Sequence, residues 1–286
     1  MSVLYSILFG AVQGATAFFP AGSTGILNLI ANAAGLGRSY NLVFLVMLHA
    51  GTALAAAFFF IDDVVKLAVS AAGMAADGFY NIRVFFSGKE RRAYRKILSD
   101  QYRRFALAIL GSLIPAYIIG YLIRPVAEMV TGHLLVSGVG LFITALLLFV
   151  SSFAVYSSKT PKNTKPADSF LIGAFQGFSC FPGLSRTGTA SSAAFLGGLT
   201  RKFTLKYCYL LCIPMALGAL VLEGASSPQL FIAAGIPQCI AGMLTAFATG
   251  LLMIRFAVRL FGRRLNRLFA VFTLAAGIIS LVCYMI

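Results

Sequence analysis

The chain has 286 residues, 59% of them hydrophobic and 11% charged, and its mean hydropathy is +0.90. A soluble domain carries about 25% charged residues, so this composition excludes one and points to an integral membrane protein. The apolar runs are about 20 residues long, enough for a helix to cross a bilayer and about twice the length of a barrel strand, so the expected fold class is all-α.

The first element, about Val3–Ala34, is apolar but broken in its middle, where Gly10-Ala11-Val12-Gln13-Gly14 is followed by Phe19-Pro20-Ala21-Gly22-Ser23-Thr24-Gly25. No Lys or Arg precedes Arg38, so this segment lacks the basic region of a signal peptide. A full span follows at about Leu42–Ile61 and carries His49. The stretch Lys66–Arg104 is polar and basic around Val84, Phe85, Phe86, Tyr94, Ile97 and Leu98. It reads as an interfacial segment on anionic inner-leaflet lipids. Spans come next at about Phe105–Ile123 and Leu134–Phe153, with His133 at the interface.

The segment at about Phe170–Gly198 then repeats the first one. Gly173-Ala174-Phe175-Gln176-Gly177 is followed by Phe181-Pro182-Gly183-Leu184-Ser185-Arg186-Thr187-Gly188. Three spans complete the chain, at about Tyr207–Leu222, Phe231–Met253 and Leu268–Ile286. The cysteines Cys180, Cys208, Cys212, Cys239 and Cys283 lack CxxC spacing. Cys208 and Cys212 share a helix face without His or acidic neighbours and read as packing residues.

A helix broken at membrane depth frees N–H groups that only protein or a watery cavity can satisfy. Two matching broken segments in two halves mark a site at a repeat interface. The chain therefore reads as a single membrane domain, 1–286, with repeat 1 at about 1–153, repeat 2 at about 168–286 and the basic segment at about 66–104. Taking both broken segments as re-entrant hairpins gathers the basic residues on one side. These are Arg83, Lys89, Arg91, Arg92, Arg95, Lys96, Arg103, Arg104, Lys159, Lys162, Lys165, Arg201, Lys202, Lys206, Arg255, Arg259, Arg263, Arg264 and Arg267. Arg38, Arg124, Glu128 and Glu223 fall opposite. The positive-inside rule makes the basic side cytoplasmic and the two hairpins inverted. The same rule accounts for the net charge of +15, and no nucleic-acid partner is expected.

Arg186 is the one charge within the repeated motifs. An intramembrane Arg needs a partner, and a phosphate, which suits its bidentate fork beside hydroxyls and open N–H groups, is favoured over a structural role capping carbonyls. Gln13 and Gln176, one per hairpin, divide evenly between bonding backbone at the breaks and touching substrate. His49, more often a satisfied structural residue in such a span, is the candidate for a catalytic base.

The motif Phe181–Gly188 resembles the PGxSRS signature of the undecaprenyl-pyrophosphate phosphatase family, bacitracin-resistance type. Gln13–Ile26 is similar to that family's (E/Q)GxTEFLPxSSTGH signature. The likeness continues through Leu48-His49-Ala50-Gly51-Thr52, Ile114-Pro115-Ala116 and Ile213-Pro214. It implies six transmembrane helices plus two re-entrant helical hairpins in inverted-topology repeats. It also implies hydrolysis of a polyprenyl diphosphate to the monophosphate carrier of cell-wall synthesis, at the outer face of the bacterial inner membrane. By position, Ser23 matches the proposed nucleophile and Arg186 the phosphate-binding arginine. Gln13, Gly22, Thr24, Gly25, Gln176, Gly183, Ser185 and Thr187 are then the expected substrate-binding positions. The resemblance further implies a divalent cation, Mg or Ca, and a homodimer is an expectation of the same kind.

The chain departs from the family pattern at Ala17, where an acidic residue is expected, at Ile26, where His is expected, and at Gly22 and Ala190 in place of hydroxyl residues. None of its eight acidic residues falls in either hairpin. Two readings follow: a hydrolase, or a non-hydrolytic polyprenyl-phosphate binder or flippase.

Overall fold

In hydrocarbon a backbone polar group has no water to bond, so each apolar run closes its own hydrogen bonds as a helix. The computed structural model describes residues 2–36, 40–87, 94–154, 158–226 and 228–286, and these form twelve helices. They are α1 (Val3–Thr16), α2 (Ser23–Ala33), α3 (Leu42–Phe59), α4 (Ile61–Phe86), α5 (Gln101–Met129) and α6 (Leu134–Ser151). The second half contains α7 (Pro166–Phe178), α8 (Arg186–Leu196), α9 (Arg201–Ser226), α10 (Pro228–Ala234), α11 (Ile236–Leu260) and α12 (Arg263–Met285). Six of them, α3, α5, α6, α9, α11 and α12, are long and apolar enough to cross a membrane. The protein is an all-α, multi-pass integral membrane protein.

The fifth span begins later than the sequence implies. Gly235, at φ +84°, separates the short α10 from α11, so the apolar run from Phe231 is two helices. The expected basic stretch is also reorganised, because α4 starts at Ile61, directly after α3. Residues 94–103 fold back on it: the Asn81 side chain bonds both backbone groups of Arg95, and Asp77 pairs with Arg103 at 2.6 Å and Arg95 at 3.2 Å. Lys89, Arg91 and Arg92, placed on the basic side by sequence, lie outside the described residues, as does Arg38.

The helices pack as an exchanged pair of halves. Contact of α1 with α11 is matched by α7 with α5, that of α3 with α11 by α9 with α5, and that of α6 with α8 by α12 with α2. The pairs α3/α9 and α6/α12 stand between the halves. The repeated glycines make the first of these contacts close. A Cβ on Gly14 would lie 2.7 Å from Ala246 O and Gly250 N of α11, and one on Gly177 would lie 2.9 Å from Ala116 O of α5. Small residues four apart let helix backbones approach where no water drives association. Half of each repeated motif is therefore packing surface.

The charged ends of the bundle are tied together. Thr200 N donates to Lys159 O at 3.0 Å, so the two ends of the α7–α8 hairpin lie side by side. At the same end Arg104 donates to Lys162 O, Lys206 pairs with Asp63 at 2.8 Å, and Arg201 donates to Phe261 O and Arg259 O. Elsewhere Arg124 and Glu223 form a two-point ion pair at 2.6 and 3.0 Å.

Candidate functional site at the hairpin tips

Each hairpin changes direction at a glycine that only a residue without Cβ occupies easily. Gly22 has φ +68° and Gly183 has φ +86°. The next helices then begin at Ser23 and Arg186, so both residues stand at helix N-termini, where unsatisfied N–H groups and the dipole favour an anion. Ser185 caps α8 by accepting from Gly188 N at 3.0 Å.

The two tips touch. Gly183 N donates to Thr24 Oγ1 at 3.2 Å, and Thr187 Oγ1 donates to Ala17 O at 2.8 Å. Thr144 of α6 braces the second tip, donating to Gly183 O at 2.9 Å and accepting from Ser185 N at 3.0 Å. Gly22 and Gly25 press on Gly183 and Leu141, and Gly25 N is already bonded to Gly22 O. These glycines close the tip contact in the described geometry.

Behind the tips lies the polar centre. Arg186 donates an N–H to His49 Nδ1 at 2.7 Å, and Gln13 Nε2 stands 2.8 Å from the same nitrogen. A guanidinium has no acceptor, so Nδ1 must present its lone pair, and the neutral imidazole carries its hydrogen on Nε2. Among the described residues no carboxylate lies within ion-pair distance of Arg186. The partner of this arginine within the protein is thus a neutral ring, which the sequence reading did not foresee.

Gln13 and Gln176 are both fully buried, and neither bonds the broken backbone through its side chain. The amide nitrogen of Gln13 faces His49, and that of Gln176 faces Cys212 Sγ at 3.8 Å, across the same separation of 36 residues. Both Oε1 atoms are buried without a partner. His49 and Cys212 are therefore equivalent positions of the two halves, as are Ser23 and Arg186. One copy of the repeat supplies a hydroxyl and an imidazole, the other a guanidinium and a thiol.

Ser23, Thr24, His49, Ser185 and Arg186 line one small cavity together with Ala17, Ser179 and Leu184. Arg186 and Thr187 line a second with Ala17, Thr52, Tyr209 and Cys212. Their volumes are about 10 and 20 Å³, room for about one water each. A diphosphate needs more, so admitting one requires the tips to part. Sequence reasoning missed Thr52, Tyr209 and Cys212. The signal for Cys212 was the internal repeat itself, which runs on from the motifs into α3 and α9. Ala17 lines both cavities, whereas Ile26 packs against the apolar core and lines neither.

Comparison with known proteins bears on the whole chain. Residues 6–279 match the sequence profile of the family described as "Bacitracin resistance protein BacA". A protein of Korarchaeum cryptofilum named undecaprenyl-diphosphatase is 32% identical over 281 residues, covering 97% of this chain and 98% of that protein. Proteins with the same name from Methanobrevibacter smithii and Alkaliphilus metalliredigens are 30% and 28% identical, each covering at least 96% of both chains.

Proposed function

The chain belongs to the bacitracin resistance protein BacA family, and from that premise we propose that it is an undecaprenyl-diphosphatase, a membrane hydrolase that converts a polyprenyl diphosphate to the monophosphate and inorganic phosphate. The observation that carries this reading is the convergence of Ser23 and Arg186, each first in its hairpin helix, on one cavity. Arg186 holds the terminal phosphate with its planar fork, the N-termini of α2 and α8 stabilise the charge on its oxygens, and Ser23 Oγ attacks phosphorus. Full-length relatives named for the hydrolase, together with the retained hydroxyl and guanidinium, favour hydrolysis over a binder that leaves its lipid intact.

The residues present do not fit a divalent cation. Such an ion takes hard, preferably anionic oxygens, whereas Ala17 stands where a carboxylate would help and the centre is filled by a guanidinium and an imidazole. Among the described residues no group of three His, Cys, Asp or Glu is placed to hold a metal. In this reading Arg186 and the helix N-termini offset the phosphate charge.

In the membrane, α1–α2 and α7–α8 act as re-entrant hairpins of inverted orientation. The side-by-side ends of α7–α8 and the clustering of basic residues at one end support this reading. The basic end faces the cytoplasm. Cysteines introduced at Lys162 and Arg264 should then be labelled only from the cytoplasmic side and one at Glu128 only from the opposite side. Labelling of positions 162 and 128 from the same side would sink the inverted arrangement. The activity itself is tested by phosphate release from undecaprenyl diphosphate by the purified protein. Wild-type protein that binds this lipid and releases no phosphate would exclude the hydrolase.

A further inference from the structure

The hydrolase reading leaves the proton of Ser23 without a destination, because both residues that would take it in the family pattern are apolar here, Ala17 and Ile26. Resting on that reading, we propose that His49 takes this proton, and that Arg186 keeps the His49 lone pair occupied until a substrate phosphate draws the guanidinium away.

Three observations converge on this. First, Nδ1 of His49 is oversubscribed. A neutral imidazole nitrogen offers one lone pair, yet Arg186 at 2.7 Å and Gln13 at 2.8 Å both direct donors at it. Arg186 is the donor with a better alternative, because an anionic phosphate offers the guanidinium an opposite charge and two parallel bonds, where the neutral ring accepts one. Second, His49, Ser23 and Arg186 line one cavity that no carboxylate enters. His49 is the group there able to accept a proton while a phosphate holds the arginine. Third, Gln13 Oε1 is buried without a partner. It faces no donor while the ring is neutral, but a half-turn of the carboxamide exchanges Nε2 for Oε1. The imidazolium formed on proton transfer would then donate its new Nδ1–H to that oxygen. Gln13 thus serves His49 in both protonation states, a role that a hydrocarbon side chain could not fill.

The steps balance. Arg186 moves from Nδ1 to the terminal phosphate, and the Gln13 carboxamide turns Oε1 in place of Nε2 toward Nδ1, so that its lone pair is free. Ser23 Oγ then bonds to that phosphorus and the bridging P–O bond breaks, its electron pair leaving on the lipid monophosphate while the Ser23 proton passes to His49 Nδ1. In the second half a water oxygen bonds to phosphorus and the Ser23 O–P bond breaks. Ser23 Oγ recovers the proton from His49, and water's hydrogens leave on inorganic phosphate. The arrangement makes the nucleophile active only when a phosphate is seated.

The test uses purified protein with farnesyl diphosphate and farnesyl monophosphate as probes. His49→Gln retains an acceptor for Arg186 but takes no proton. It should bind farnesyl diphosphate within about threefold of wild type and turn it over at least about 10²-fold more slowly. Where His49→Gln fails to fold, His49→Ala with and without added imidazole gives the same reading, with imidazole restoring turnover. Retention of turnover within about tenfold by His49→Gln would rule the ring out as the base. The lone-pair exchange is read separately, by NMR of the imidazole nitrogens in Ser23→Ala. Farnesyl monophosphate should shift the His49 Nδ1 signal, and Arg186→Ala should show a shifted signal without ligand. An unmoved signal at saturating monophosphate overturns the exchange. Wild type and His49→Gln that both bind farnesyl diphosphate and release nothing would overturn the hydrolase reading and this proposal together. An active wild type matched by His49→Gln overturns this proposal alone.

Discussion

Arg186→Ala should lower affinity for a polyprenyl monophosphate by at least about 100-fold, because truncating one partner of a buried charge pair costs about 2–5 kcal/mol. Arg186 is the one cation in the repeated motifs, and among the described residues no carboxylate pairs with it. Its removal therefore leaves a phosphate with helix N-termini and hydroxyls alone. Arg186→Lys should recover only part of the loss. An ammonium is a point charge on a flexible stem and lacks the planar fork that holds two phosphate oxygens at once. Equilibrium binding to lipid in detergent checks both variants. Unchanged affinity in Arg186→Ala would make the arginine a structural clamp on His49.

The sequence carried the class and the number of spans because hydrocarbon imposes them directly. A run such as Leu134–Ser151 has few ways to fold other than as a helix. It pointed to the candidate site because Pro and Gly interrupt two such runs at equivalent places, and because Arg186 in a broken apolar segment needs a partner. The break at Gly235 had a signal that the hydropathy run masked, since Gly235 followed by Pro237 in the first turn of α11 marks a helix start inside an otherwise mostly apolar stretch. The partner of Arg186 was also hidden. His49 lies in an uninterrupted span, and its approach to α8 depends on how α3 packs between α9 and α11, which periodicity does not encode. Gln13 was ambiguous for the same reason: a buried amide reads alike whether it caps backbone or supports a ring.

Doubling explains why the motif residues divide as they do. Gly10, Gly14, Gly173 and Gly177 occur in both copies because both hairpins must seat a first helix tightly against a span of the other half. Thr24 and Thr187 occur in both because each ties its tip to the opposite one. Ser23 and Arg186 differ at equivalent positions, as do His49 and Cys212, and in the proposed reaction the first pair divides into attacking hydroxyl and cation. The scaffold is thus repeated and the chemistry is shared out between the copies. Gln13 and Gln176 are shared as well, each turning its amide nitrogen to the equivalent position of its half, His49 or Cys212. Ala17 lines both cavities beside Arg186.

The second large effect concerns the nucleophile. Ser23→Ala should reduce phosphate release from undecaprenyl diphosphate by about 10³–10⁶-fold, the range expected when a covalent route loses its attacking atom. Lipid affinity should stay within about threefold of wild type, since Arg186 and the α8 N-terminus remain. The substitution is close in volume and Ser23 is only partly buried, so the fold should tolerate it. The neighbour Thr24 is not expected to take over, because its hydroxyl already accepts from Gly183 N across the tip contact. A chemical quench of wild-type protein during turnover should trap phosphate on Ser23, and Ser23→Ala should trap none. If Ser23→Ala instead turns over within about tenfold of wild type, water attacks phosphorus directly. Ser23 would then be a lining hydroxyl, and Arg186 with the paired helix N-termini would carry the reaction by charge stabilisation alone.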